Sequence, residues 1–326
     1  MRLSIIIALY NTEKFIRNCL NSVYDGSFLN AEEFEVIVIN DGSTDGSVEI
    51  VKELMNTHQN ILLLNKENGG QSSARNIGFS MASGDYLFCL DSDDFLDSFE
   101  LKKSLDLCYR LKLDLLPVDS DKYDENYQKL LNKSPKYKAS NKIISGGMLL
   151  TSGFIIGSMC KYIYRKEIVD NFELKLTEGI FHEDEEFVTK FISRSKRIYK
   201  VDSLVYHQVI RSESTTNKKS TEHRKRLLFD LITVILNLEN YRSNFGVNSL
   251  ESKGLKMKIN QLLISILIRM RTENIEKKIC SEIVCILNNK GLLPIKIGYS
   301  AFKFWPAVLI YNNKTLRNLY LFGWNS

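Results

Sequence analysis

Apolar, β-branched runs recur along the first third of the chain: Leu3 to Ala8, Phe34 to Asn40, Ile61 to Asn65, Tyr86 to Leu90 and Leu113 to Val118. Between them the apolar residues are spaced by three and four, as in Thr12 to Val23, Ser47 to His58 and Ser72 to Met81, which predicts helices. Strands alternating with helices imply an α/β fold, a doubly wound and mainly parallel sheet with helices on both faces. Such a sheet binds ligands at the carboxyl ends of its strands, so the loops that follow the strands are where chemistry belongs. From about Thr221 the pattern becomes purely helical. Leu227 to Leu238, Leu255 to Ile268 and Ile275 to Leu287 predict amphipathic helices with no catalytic motif among them.

At 326 residues the chain predicts one large domain with an appendage. Lys and Arg exceed Asp and Glu by only 44 to 39, and no DNA- or RNA-binding motif occurs, so nucleic acid is not an expected partner. The six cysteines, Cys19, Cys89, Cys108, Cys160, Cys280 and Cys285, include no CxxC pair and read as buried, reduced thiols of a cytoplasmic protein. The apolar run at Met1 to Ala8 is too short for a secretory signal and reads as a first strand. Leu227 to Leu238 and Ile259 to Met270 fall short of the roughly 20 residues that span a bilayer, so no transmembrane anchor is expected.

The stretch Leu87-Phe88-Cys89-Leu90-Asp91-Ser92-Asp93-Asp94-Phe95 ends an apolar run in three carboxylates. Acids crowded at a buried strand tip repel one another and call for a compensating cation. Oxygen-only ligands suit Mg²⁺ or Mn²⁺ bridging to substrate phosphates. The alternative is that this run caps the following helix, for which one Asp would suffice. After the second strand comes Asn40-Asp41-Gly42-Ser43-Thr44-Asp45-Gly46-Ser47; an EF-hand reading of it fails because its last position is Lys52 where Glu is required. After the third comes Asn68-Gly69-Gly70, then a helix bearing Arg75, a pattern suited to an anionic or nucleotide ligand. There is no GxGxxG after the first strand and no Walker A lysine, which argues against NAD and P-loop chemistry.

These residues together resemble the family 2 glycosyltransferases, inverting enzymes of the GT-A fold that use nucleotide-activated sugars, over residues 1 to about 210. Ala8-Leu9-Tyr10-Asn11 looks like the family's Pro-Val-Tyr-Asn signature with Ala8 where proline is usual. The Asn40 to Ser47 loop resembles its Asp-Asp-Gly-Ser-x-Asp motif apart from Asn40. Ala74-Arg75-Asn76-Ile77-Gly78, Ala82-Ser83-Gly84-Asp85-Tyr86 and then Asp91-Ser92-Asp93, on the metal-binding Asp-x-Asp motif, follow in the family's order. Phe181 to Phe187 looks like the Glu-Asp motif that supplies the base, and Cys160-Lys161-Tyr162-Ile163-Tyr164-Arg165 resembles the segment before it without the frequent tryptophan.

The resemblance implies a catalytic domain at 1–215, with a nucleotide-sugar half 1–118 and an acceptor half 119–215, and a mainly helical region at 216–326. It implies Asp93 and Asp91 as ligands of Mn²⁺ or Mg²⁺, and Asp184 as general base with Glu183 in support. Ala8, Tyr10, Glu13, Asp41, Arg75, Asp91, Ser92, His207 and Arg211 would line the nucleotide-sugar site, with Tyr10 stacking on the base and Asp41 accepting from it. Read alone, Glu183 to Glu186 is a solvated first helical turn and His207 a packed strand residue. Arg211 to Thr216 resembles a segment that closes over the donor.

The expected activity is transfer from a nucleoside-diphosphate sugar, UDP favoured, to a glycan or lipid-linked acceptor in bacterial surface polysaccharide synthesis, on the cytoplasmic side of the plasma membrane. The tail, with Lys296, Phe302, Lys303, Phe304, Trp305, Lys314, Arg317, Tyr320, Phe322 and Trp324, suits an anionic membrane interface, a cap on the catalytic domain or a homo-oligomer contact. Two other functions compete. A sugar nucleotidyltransferase would need a basic, glycine-rich triphosphate loop near the first strand that Ala8 to Glu13 does not offer; a catalytically silent binding or scaffold module would have to explain why the expected acids are intact.

Overall fold

The computed structural model describes residues 1–25, 30–131, 142–153, 155–211, 220–295 and 305–322. Its contacts divide the chain into two compact units, one of Met1–Gly146, Ile156–Gly179 and Glu183–Ser214, the other of Gly147–Ile155, Ile180–His182 and Thr215–Ser326.

The first unit alternates β1 (Leu3–Leu9), α1 (Glu13–Tyr24), β2 (Phe34–Asn40), α2 (Ser47–Met55), β3 (Ile61–Asn65), α3 (Gln71–Met81) and β4 (Tyr86–Cys89). The chain continues with β5 (Phe95–Leu96), α4 (Ser98–Leu111), β6 (Leu115–Pro117), β7 (Asp119–Tyr123), α5 (Gly146–Thr151), β8 (Tyr162–Arg165), α6 (Lys166–Asn171), α7 (Glu183–Arg194) and β9 (Leu204–Val209), of which α5, from Gly147 on, belongs to the second unit. The main sheet has the order β3-β2-β1-β4-β8-β6. β1, β2, β3 and β4 pair in parallel, whereas β8 runs antiparallel to both β4 and β6. The sheet is thus mixed α/β and mainly parallel, as the alternation predicts. All seven residues of β2 are buried, which is why that run reads as continuous rather than alternating.

Two polar motifs turn out to serve this sheet. Glu35, buried in β2, accepts from Ser4 Oγ at 2.6 Å and from the amide and hydroxyl of Ser83 at 2.7 and 2.8 Å. A Cβ on Gly84 would lie 2.6 Å from the backbone of Leu3 and Ser4, so only glycine lets the chain enter β4 there. A Cβ on Gly78 would meet Ile6 Cγ2 at 2.5 Å, which makes Gly78 the point where α3 lies closest on β1.

The structure departs from the expected run Leu113 to Val118. β6 is only Leu115–Pro117, at the sheet edge, where a residue without an N–H is tolerated. The chain then enters β7, part of a second sheet of order β5-β9-β7. Its residues Asp119 to Tyr123 give no apolar alternation, so the strand was invisible to the pattern.

The second unit contains α8 (Thr221–Arg242), α9 (Leu250–Thr272), α10 (Lys277–Asn289), α11 (Trp305–Asn312) and α12 (Lys314–Phe322). Ser220 and Ser249 cap α8 and α9 by accepting from the amides of His223 and Ser252 at 3.2 and 3.1 Å. Leu228, Leu231, Val234, Ile235 and Leu238 form the buried stripe of α8. Among the described residues no helix is long and apolar enough to cross a membrane. All six cysteines are free; five are buried, but Cys285 is exposed, contrary to the expectation for the whole set.

Candidate active site

The loops that follow β1 and β2 are laced together. Asn11, at φ +50°, accepts from Thr44 N at 2.8 Å and its own amide donates to Ser43 Oγ at 3.1 Å. Glu13 N donates to Asp45 at 3.0 Å, and Glu13 Oε2 accepts from Gly46 N at 3.0 Å. Glu13 is therefore committed to joining the loops. Asn40, the departure from the family's acid, accepts from Ser43 N and donates from Nδ2 to Asn65 Oδ1, both at 2.9 Å. An aspartate could make only the first of these bonds. Ala8 is half-buried near the end of β1, and Tyr10 is exposed just beyond it.

Asp41 is buried and fully engaged. Oδ1 accepts from Lys66 Nζ at 2.5 Å and Gly69 N at 2.8 Å, and Oδ2 from Gly70 N at 2.8 Å. Gly70 stands at φ +88°, a conformation that glycine adopts without strain. The carboxylate thus fixes the Asn68–Gly70 turn from the end of the neighbouring strand.

At the tip of β4 the three acids diverge. Asp91 keeps a 38% exposed side chain and pairs with Arg75 Nη2 at 2.5 Å. Asp93 pairs with Arg211 Nη2 at 2.5 Å, yet burial and then Asp91 raise its pKa. Asp94 turns inward, accepting from Val209 N at 2.7 Å and from the Tyr206 hydroxyl. Burial, then Asp91 and Asp93, push its pKa well above the usual range. None of the three caps the next helix. The cap of α4 is Asp97, which accepts from Glu100 N at 2.9 Å. Ser92 is buried and accepts from Thr12 Oγ1 at 3.0 Å, tying the tip to the loop after β1.

Arg75, 5% exposed, reaches from α3 to this tip and also stands 3.9 Å from Glu183 Oε1. Gln71, one turn earlier on α3, donates to the same oxygen at 2.6 Å. The first turn of α7 is therefore held beside the acids of β4. Asp184 follows directly, accepting from Glu185 N at 2.8 Å. Burial first, then Glu183 and Glu185, push its pKa up to about 7. Glu183 and Glu186 are buried, unlike the residues of a solvated helical turn; Glu186 pairs with Lys190.

Alternation along β9 separates its two candidates. Tyr206 faces Asp94, and the adjacent His207 packs against Phe95 and Tyr123 with ring centroids at 4.7 and 5.3 Å. Among the described residues its Nδ1 has no hydrogen-bond partner, and burial lowers its pKa, so it is neutral at pH 7. The structure brings Tyr206, not its neighbour, onto the acid cluster. Arg211 lies over Phe15 at 5.5 Å while it pairs with Asp93. Residues 212 to 216 of the expected closing segment lie outside the described residues.

Among the described residues no three His, Cys, Asp or Glu side chains gather round one point. Asp91 and Asp93 nevertheless fit a hard divalent cation. They offer only oxygens, their like charges are incompletely compensated, and two protein ligands leave positions for phosphate and water. Gln71, Lys66 and Tyr206 are site residues that the motifs did not flag, because each acts through a contact far apart in sequence.

The family model described as glycosyl transferase family 2 matches residues 4–170. The chain is 41% identical over 96 residues to the glycosyltransferase GlyA of Streptococcus pneumoniae, covering 29% of this chain and 13% of that protein. It is 28% identical over 209 residues to the uncharacterized glycosyltransferase EpsJ of Bacillus subtilis, covering 62% of this chain and 59% of EpsJ. It thus spans less than two thirds of either relative. The structure of S. aureus TarS 1–349 in complex with UDP-GlcNAc superposes with a TM-score of 0.76 at 19% identity, over 98% of this chain and 91% of that one, a likeness of fold.

Proposed function

This chain belongs to glycosyl transferase family 2, and we propose that it transfers a sugar, with inversion and with a divalent metal, from a nucleoside diphosphate to an acceptor hydroxyl. The observation that carries the reading is the bridge made by Arg75, which joins Asp91 at the strand tip to Glu183 beside Asp184. Acids suited to a leaving diphosphate and a carboxyl poised near neutrality thereby share one rim. The fold shared with TarS, solved with UDP-GlcNAc, supports UDP as the nucleotide.

Asp93 and Asp91 would hold Mn²⁺ or Mg²⁺, which when bound stabilises the charge on the departing diphosphate as a Lewis acid. Arg75 fixes Asp91, and Arg211 sets a second cation beside Asp93 where negative charge grows. Tyr10 is exposed to stack on the base, and Asp41 shapes the base pocket through the Gly69–Gly70 turn it holds. Asp184 takes the proton of the acceptor hydroxyl as it attacks C1 from the face opposite the leaving group. A carboxyl with a pKa near 7 is matched to that task at neutral pH. His207, packed among rings, is left out of the phosphate set.

A glycan or lipid-linked acceptor at the inner face of the plasma membrane, in bacterial surface polysaccharide synthesis, completes the reading. Residues 283–326 carry Lys290, Lys296, Lys303, Lys314 and Arg317 and no Asp or Glu, while Leu309 and Leu316 are exposed on α11 and α12. That combination suits contact with anionic lipid.

Metal-dependent hydrolysis of a panel of nucleotide sugars, by the wild type and by Asp93→Ala and Asp184→Asn, tests the assignment. Undiminished turnover in either variant sinks the role given to that residue. Pyrophosphate release from a nucleoside triphosphate would favour a nucleotidyltransferase instead.

A further inference from the structure

Three polar side chains on the other flank of the strand tip lack partners. Ser120 is fully buried and, among the described residues, its hydroxyl makes no hydrogen bond. Lys161 is 8% exposed, and among the described residues its ammonium makes neither a hydrogen bond nor an ion pair. Lys122 is half-buried and its side chain is equally unpartnered among the described residues. An unpaired ammonium taken out of water costs several kcal/mol. A second cation nearby raises that cost.

The three belong to one place. Ser120 and Lys122 are two apart on β7, so they share a face. The register sets them opposite Tyr206 and Gln208 of β9, and Tyr206 is the residue that reaches Asp94. β8 runs antiparallel to β4 with Ile163 opposite Phe88, which brings Lys161 level with Leu90, one residue before Asp91. Lys161 and Lys122 feel each other's charge: the pKa of Lys161 is lowered by burial and then by Lys122. Asp94 and Asp119 act in the opposite sense, but Asp94 is taken by Tyr206 and Val209, and Asp119 by Lys200 at 2.9 Å. The one acceptor left over is Asp119 Oδ1, which is ion-paired to Lys200 but makes no hydrogen bond among the described residues, so donors and positive charge exceed the acceptors available here.

We infer that Ser120, Lys122 and Lys161 form an oxyanion site that holds a phosphate or carboxylate of the acceptor. The sheet order decides between acceptor and donor. β1, β2 and β3, with the nucleotide loops, lie on one side of β4, and β8 with Lys161 lies on the other. The identity of the anion's owner rests on the transferase reading above; the existence of the site does not. A neutral hydroxyl acceptor would leave two lysines offset only by acids already engaged elsewhere, whereas a phosphate placed between them satisfies both charges and the Ser120 hydroxyl together.

The test uses the full chain and two probes, inorganic phosphate and glycerol phosphate, titrated by calorimetry with and without saturating UDP and Mg²⁺. Phosphate binding should persist with UDP present. It should weaken at least about tenfold in Lys161→Met and in Lys122→Met, and return to within about threefold in Lys161→Arg, with UDP affinity unchanged. Phosphate that fails to bind the wild type, or binds both Met variants as tightly, overturns the site. Competition between phosphate and UDP, with UDP binding lost in the same variants, overturns the acceptor assignment and gives these lysines to the donor. Should Lys161→Met not fold, Lys122→Met, at a half-buried position, decides the matter by the same tenfold criterion. A wild type that ignores UDP yet binds phosphate sinks the donor reading alone.

Discussion

Arg75 donates to Asp91 across 2.5 Å from a side chain only 6% exposed, while the carboxylate it holds is 38% exposed. The arginine is thus a buried strut and the acid a presented ligand. The same guanidinium stands near Glu183, so one residue of α3 fixes the spacing between the strand tip and the first turn of α7.

Removing that strut leaves two acids without their cation. Arg75→Met should reduce turnover at least about a hundredfold and destabilise the fold by about 3 kcal/mol, because a buried charge loses its partner. Thermal melting beside a donor-hydrolysis assay checks both. Arg75→Lys should recover stability better than turnover, since ammonium cannot reproduce the two-pronged geometry.

Asp184 should impose an acid limb on the rate, with activity rising through pH of about 7. Its effect on stability has the opposite sense. An acid whose folded pKa is raised contributes stability that is complete below its unfolded value, 3.8, and lost as the pH rises through about 7. Asp184→Asn should therefore abolish transfer at pH 7.5 yet raise the melting temperature by about 2–6 °C. A variant that is both inactive and less stable would contradict this account.

Tyr206 and His207 should separate cleanly. Tyr206→Phe removes a buried hydroxyl from Asp94 and should cost about 1–3 kcal/mol of stability. His207→Phe keeps an aromatic ring against Phe95 and Tyr123 and should retain turnover within about threefold, whereas a phosphate-binding histidine would lose far more. Steady-state rates of the two variants at saturating donor decide the point.

Chelation with EDTA should stop donor hydrolysis, and Mn²⁺ or Mg²⁺ should restore it in the wild type but not in Asp93→Asn. Because Asp93 already carries repulsion from Asp91, Asp93→Asn should leave melting unchanged within about 1 kcal/mol. Full activity after exhaustive chelation would remove the metal from the proposal.

Gly78→Ala tests the packing of α3. Its methyl would meet Ile6 Cγ2 at 2.5 Å, so the variant should lose about 1–3 kcal/mol and, with α3 displaced, lose turnover through Arg75. Denaturant unfolding measures the first effect.

Much of the fold and its rim is legible in the chain. The buried strands Leu3–Leu9 and Phe34–Asn40 and the largely exposed edge strand Ile61–Asn65 announce themselves as apolar runs, and the acids and glycines that follow them mark the binding rim. β7 is not legible, because Asp119 to Tyr123 holds its place by pairing with β9 and not by apolar character. Asp94 could equally have capped a helix; its inward turn depends on Tyr206 and Val209, more than a hundred residues away.

The order of residues by itself determined the alternation of elements, the mainly parallel sheet and the family, since burial on both faces and the spacing of acids and glycines are local properties of the chain. Only the tertiary structure decided which acid faces outward, which of two adjacent β9 residues meets the cluster, and that the side chains of Ser120, Lys122 and Lys161 make no hydrogen bond or ion pair among the described residues. Those outcomes depend on partners brought together by register and crossover, and on the loss of water around them, neither of which a linear pattern encodes.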